Sequence, residues 1–158
     1  SYLVVADKAA LITAYNSGGG RDMATVVTTK VNNLTELFAA ATSFNDNISS
    51  WDMSNVTNTD RMFQGASSFN QDIGFWNTSN FYDVSGMFDS ASNFNRDIGN
   101  WDTSNVTNMS NMFNYASSFN QDLTGWCVLN ITSQPGAFAG NTSILTDANK
   151  PVWGTCPD

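Results

Sequence analysis

A 25-residue period runs through most of this 158-residue chain. Trp51, Trp76, Trp101 and Trp126 stand one period apart, as do Phe44, Phe69, Phe94 and Phe119. A third column holds Phe38, Phe63, Phe88, Phe113 and Phe138. Asn45, Asn70, Asn95 and Asn120 keep the same step, as do Asn55, Asn80, Asn105 and Asn130, and Ala41, Ala66, Ala91 and Ala116. Columns held in one register limit the chain to a repeat architecture, in which each unit leaves an apolar face uncovered and buries it on the next. The aromatic content of 13% belongs largely to these columns.

Within one unit, Val106, Met109, Met112, Phe113 and Ala116 recur at helical spacing behind the capping types Ser104 and Asn105. The spacing predicts a helix of about three turns per unit, dependent on packing because it is rich in Asn, Ser and Thr. What remains of each unit is too short for a second helix and predicts a short strand near residues 48–51, 73–76, 98–101 and 123–126. The expected fold class is therefore α/β, a leucine-rich-repeat-like solenoid of about six coils with one short strand and one short helix each, capped at both ends.

Residues 1–30 read as an N-terminal capping coil. Asp7 precedes helix formers up to Tyr15, the segment 26–31 has high strand propensity, and Gly18, Gly19 and Gly20 supply a turn. Residues 31–138 hold the repeats. Residues 139–158 form a closing segment, pinned by the one disulfide that Cys127 and Cys156 permit. A disulfide points to an oxidising compartment.

The segments Phe69-Asn70-Gln71-Asp72-Ile73 and Trp101-Asp102-Thr103-Ser104-Asn105-Val106-Thr107-Asn108-Met109-Ser110-Asn111-Met112-Phe113 resemble the bacterial surface-protein repeat called BspA-like, a domain of unknown function with units of about this length. The resemblance extends over residues 31–138, and the closing piece from Gly125 to Pro157 is similar to the ends of such arrays in secreted proteins of Bacteroidota. It implies an exported or cell-surface protein, often part of a longer polypeptide, and no defined ligand. The third unit departs from the pattern at Phe81-Tyr82-Asp83, where Val-Thr-Asn is expected, and at Asn77 in place of Asp. The departure marks a contact surface.

Charge and residue types exclude several functions. With 6 Lys plus Arg against 14 Asp plus Glu the net charge is -8, without the basic clusters that nucleic acid or an anionic membrane demands. Histidine is absent, which removes Ser-His, Cys-His and His-metal sites. No apolar run is long enough to span a bilayer. The glycine cluster 18–20 lacks the Gly-Lys-Ser/Thr ending of a phosphate loop. The acid column Asp72, Asp97 and Asp122, with Asp52 and Asp102 nearby, repeats from unit to unit, whereas a paired-carboxylate hydrolase needs one acid unlike the other. Calcium would answer the repulsion in that column, but no run alternates Asp, Asn and Gly as a calcium loop does, so caps or solvated turns are expected and no cofactor is assigned.

The tryptophan column reads as core rather than as a sugar-stacking platform, because a recurring apolar residue is usually recurring core. Asn70, Asn95 and Asn120 read as a buried ladder bonding neighbouring coils. The glycosylation triplets at Asn33, Asn47, Asn55, Asn77, Asn105, Asn108, Asn130 and Asn141 follow from composition. Thr57, Thr107 and Thr132 share a column that Tyr82 interrupts, which weighs against an ice-binding face. The reading is a non-enzymatic extracellular or cell-surface module for adhesion or protein–protein interaction, or a spacer in a larger surface protein, with a protein or cell-surface glycan as partner. The alternative is a glycan-binding module using Phe75, Phe81 and Tyr82 as exposed aromatics on the third coil.

Overall fold

Backbone conformation at two positions per period decides the local structure. In this computed structural model, which describes residues 3–16, 23, 26–140 and 143–157, the chain turns left-handed at Glu36, Arg61, Gly86 and Asn111, with φ of 57°, 50°, 58° and 58°. It does so again four residues on, at Ala40, Gly65, Ser90 and Tyr115, with φ of 57°, 69°, 60° and 55°. A right-handed helix cannot continue through such residues. The segment 104–116 is accordingly a run of tight turns. The N–H groups of Met112, Asn114, Ala116 and Phe119 each donate to the carbonyl three residues back, on Met109, Asn111, Phe113 and Ala116.

The expected α/β solenoid is overturned by this result. Among the described residues there is one α-helix, α1 (Lys8–Asn16), and the strands β1 (Leu3–Val4) and β2 (Val26–Val27) are two residues each. A 3-10 turn covers Asp147–Asn149. None of these lies within residues 31–138, and the segments 48–51, 73–76, 98–101 and 123–126 form no strand. Asparagine and aspartate columns explain the preference for turns. Oδ1 of Asn33, Asn58, Asp83 and Asn108 accepts the N–H two residues on, at 2.8, 2.9, 2.9 and 3.1 Å, which satisfies a turn locally and competes with helix formation.

Backbone groups not used inside a turn bond to the neighbouring repeat, as the cost of burying them unpaired requires. Arg61, Phe63 and Gly65 donate to the carbonyls of Ser85, Met87 and Asp89 at 2.8, 3.0 and 2.8 Å. One period later Gly86, Phe88 and Ser90 donate to Ser110, Met112 and Asn114 at 2.8, 3.0 and 2.8 Å. Parallel bridges join Asn33 to Asn58, Asn58 to Asp83 and Asp83 to Asn108. The repeats thus stack as rungs built from turns, in a parallel register of 25 residues. The rungs approach closely where side chains are missing: a Cβ on Gly74 would meet the Asp97 carbonyl oxygen at 2.4 Å, and one on Gly99 the Asp122 oxygen at 2.7 Å.

The aromatic columns become the core. Phe38, Phe63, Phe88 and Phe113 stack at centroid spacings of 5.6, 5.7 and 5.7 Å, and Phe69, Phe94 and Phe119 at 5.8 and 5.7 Å. Within a rung the two columns meet at 4.0 Å, as in Phe88 and Phe94. Trp76, Trp101 and Trp126 stack at 6.3 and 6.4 Å, and each indole N–H donates to a carbonyl of the preceding rung, on Ile48, Ile73 and Ile98. All these rings are buried, each contributing about 1.5–3 kcal/mol of apolar burial. The stripe Val106, Met109, Met112, Phe113 and Ala116 is buried too, although no helix carries it.

At the N-terminal end, Asp7 accepts the N–H of Ala10 at 2.9 Å ahead of α1, β1 pairs with β2 in parallel, and Lys8 donates to the Thr35 carbonyl. At the other end Leu123 and Val128 donate to the carbonyls of Asn149 and Thr155 at 2.9 and 2.8 Å, and Trp153 packs edge-on against Phe138. Cys127 and Cys156 are joined as a disulfide. The turn expected at Gly18, Gly19 and Gly20, and the triplet at Asn141, lie outside the described residues.

Candidate functional site

Two neighbouring columns build a groove on the side of the stack. In the column of Val31, Val56, Val106 and Ile131 stands Phe81, buried at 1% exposure and packed edge-on against Trp101 at 5.9 Å. Phe81 anchors the backbone, and the next residue points outward. Tyr82 N–H donates to the Thr57 carbonyl at 2.8 Å, and the Tyr82 carbonyl accepts from Thr107 N–H at 3.0 Å, so its backbone is held on both sides while 59% of the residue stays exposed.

The second column is asparagine. Nδ2 of Asn80, Asn105 and Asn130 donates to the carbonyls of Ser54, Ser79 and Ser104 in the preceding rung, at 2.6, 2.8 and 2.8 Å. Each bond fixes an exposed amide at the same height in its rung. Together with Thr57, Asn58, Thr107 and Tyr82 these amides line a groove of about 660 Å³. No lining residue carries a charge. A smaller groove of about 240 Å³ is of opposite character, containing Asp60, Arg61 and Asp89. There Arg61 is already paired, at 2.8 Å with Glu36 and 3.2 Å with Asp60.

The three aromatics expected to form a contact site are not brought together. Phe81 is core, Tyr82 lines the larger groove, and Phe75 is 87% exposed but is not part of that lining. The asparagine ladder is present, with backbone N–H groups of Asn70, Asn95 and Asn120 donating to Oδ1 of Asn45, Asn70 and Asn95 at 2.8, 3.1 and 3.1 Å. The ladder expected to be buried runs instead along the surface, with Asn45, Asn95 and Asn120 exposed and Asn70 half-buried. Asn55, Asn105 and Asn130, which begin glycosylation triplets, hold neighbouring carbonyls through Nδ2.

The repeated acids are turn formers. Oδ1 of Asp72, Asp97 and Asp122 accepts the N–H of Gly74, Gly99 and Thr124 at 3.2, 2.9 and 2.9 Å. Hydrogen bonds from Ser54 hold the Asp52 carboxyl below its ordinary range, and those from Thr124 do the same to Asp122. Lys150 lowers Asp147 through a 2.8 Å hydrogen bond and its charge. Among the described residues no three His, Cys, Asp or Glu side chains gather as metal ligands, and no helix is long and apolar enough to cross a membrane.

A family described as Mycoplasma protein of unknown function, DUF285, matches residues 32–153. The chain belongs to this family. The DUF285 match takes in the repeats from residue 32 and the closing segment up to Trp153, and its description names neither BspA nor the Bacteroidota. No curated protein and no solved structure matches the chain.

The groove-lining role of Asn80, Asn105, Asn130, Thr57 and Thr107 was not legible as a site. The signal lay in the register: the threonine column sits two residues after the asparagine column, so both alternate outward past the buried residues at 56, 81, 106 and 131.

Proposed function

We propose that this DUF285 chain is a non-enzymatic extracellular repeat module that binds a protein or cell-surface partner through the side of its stack, within a larger adhesive surface protein. The observation that carries the reading is the groove at Tyr82, a concave surface fixed by backbone bonds to both neighbouring rungs. The disulfide between Cys127 and Cys156 fits an exported chain. The resemblance to BspA-like surface repeats supports the same placement, and the use of the repeated acids to close turns on their own backbone supports the non-enzymatic part of the reading. Single modules of this kind bind through one shallow surface and gain strength when several copies are displayed together.

The test is display of one, two and four copies on a non-adherent bacterium, scored for retention on immobilised extracellular glycoproteins. Retention that rises with copy number is the expected result. A hydrolase or transferase activity found in a substrate screen and lost on changing one residue would overturn the reading.

A further inference from the structure

The uncharged groove around Tyr82 is a place where the chemistry of the lining selects a ligand class. The chain carries a net charge of -8, yet the groove offers only amides, hydroxyls and one phenol ring. Nothing in the lining would neutralise a phosphate or a carboxylate, and nothing would pair with an ammonium group. What it offers is dense neutral hydrogen bonding beside an aromatic face. Each of Asn80, Asn105 and Asn130 commits one N–H to the preceding rung, and a primary amide has a second N–H and a carbonyl oxygen with which to meet hydroxyls.

The repeat sets the spacing of those partners. The rungs pair in parallel, and equivalent residues of successive rungs repeat at a step of about 4.8 Å where backbones pair and of 5.6 to 6.4 Å between stacked rings. That step is close to the advance of one pyranose ring in an extended glycan chain. Three amides in register therefore present the same donor and acceptor pattern to three successive sugar rings, with Tyr82 supplying a face for the C–H side of one of them. A threonine fills the position of Tyr82 in both flanking rungs, at Thr57 and Thr107, and again at Thr132, so the ring is an addition to a position that folds without it.

From this we infer that the groove lined by Asn80, Tyr82, Asn105 and Asn130 binds a neutral, extended, β-linked glycan chain. The inference rests on the proposal of a lateral binding module and names the ligand class of that surface.

Calorimetric titration of the purified chain with neutral β-linked hexasaccharides of glucose, mannose and N-acetylglucosamine, and with an oligouronate of equal length, tests it. At least one neutral hexasaccharide is expected to bind, and the oligouronate to bind much more weakly. Tyr82→Thr, which restores the residue of the neighbouring rungs, is expected to keep the melting temperature and weaken binding by about tenfold or more, as loss of an aromatic anchor does. Tyr82→Trp should retain binding, and Phe75→Asn, outside the groove, should leave it unchanged. Absence of binding by all three neutral hexasaccharides at millimolar concentration overturns the inference, as does equal binding of the oligouronate or full affinity in Tyr82→Thr. Copy-dependent retention of displaying cells without hexasaccharide binding would refute the glycan and leave the module reading standing. Hexasaccharide binding without any retention would do the reverse.

Discussion

Exchanging alanine and glycine at one repeated position separates a stack of turns from a stack of helices by the sign of the effect. Ala40 and Gly65 occupy the same place in consecutive rungs, both left-handed, with φ of 57° and 69°. Ala40 is exposed, and its side chain has nothing to lose on truncation. An L-residue with a Cβ costs about 1–2 kcal/mol in this region, while glycine costs about 0.5–1 kcal/mol more backbone entropy on folding. Ala40→Gly should therefore stabilise the chain by about 0.5–1 kcal/mol. Gly65→Ala should destabilise it by a similar amount, and for a conformational reason alone, since the new Cβ would meet the Ala40 Cα and N at 3.7 and 3.8 Å, ordinary contact. Were the segment helical, both signs would reverse, because glycine in a helix interior is about 0.8–1 kcal/mol worse than alanine. Urea denaturation with an unchanged m value measures both variants, and each kcal/mol corresponds to about 2–4 °C in melting temperature for a chain of this size. A less stable Ala40→Gly together with a more stable Gly65→Ala would refute the turn-based account.

Three further outcomes follow from named contacts. Trp101→Phe removes the 3.1 Å bond from the indole N–H to the Ile73 carbonyl and leaves a void between Trp76 and Trp126, for a loss of about 1–3 kcal/mol in denaturant melts; a loss below about 0.5 kcal/mol, the range of surface changes, would contradict it. Because Ser54 and Thr124 lower the folded pKa of Asp52 and Asp122, their contribution is complete above the unfolded value of about 3.9 and fades as pH falls through the folded values, so these groups add no pH dependence near neutrality and a loss in acid. Asp122→Asn, which keeps the turn as Asn47 does in the same column three rungs earlier, should flatten part of the acid limb in a pH series of urea melts, and an unchanged limb would count against it. Reduction of Cys127–Cys156, which closes a sequence separation of 29, should cost about 2–4 kcal/mol and release the closing segment from Val128; a melting temperature unchanged by reductant would refute that role.

The register of the core was readable because burial depends on column membership, and a column can be counted along the chain. Local conformation was not readable in the same way. Val106, Met109, Met112 and Phe113 fit a helix, but steps of three also fit successive three-residue turns that return every third side chain to one side. A second pattern could have decided between them. Asn or Asp followed two residues later by Ser, Thr or Gly recurs at 47–49, 72–74, 97–99 and 122–124, again at 52–54, 77–79 and 102–104, and at 33–35, 83–85 and 108–110. In a helix those side chains would have no reason to keep that spacing, whereas in a turn each oxygen closes onto the second residue's N–H.

Column membership also separates the three aromatics of the third rung. Phe75, Phe81 and Tyr82 look alike by residue type, and type alone grouped them as one exposed cluster. Their columns assign them differently. Phe81 replaces the valine of Val31, Val56 and Val106, so a larger apolar side chain enters a position that is buried in every rung, and it packs on Trp101. Tyr82 replaces a threonine whose backbone bonds both neighbours and whose side chain points outward, so the ring is presented beside the asparagine column. Phe75 stands where Ser50, Asn100 and Gly125 stand, a column with no side-chain preference, and it projects into solvent away from the groove lining. In a chain whose rungs are fixed by backbone bonds at a constant step, a substituted residue inherits the direction of its column. Departures from the repeat therefore change what a direction carries without changing the direction, which is how one tyrosine adds an aromatic face beside a row of amides.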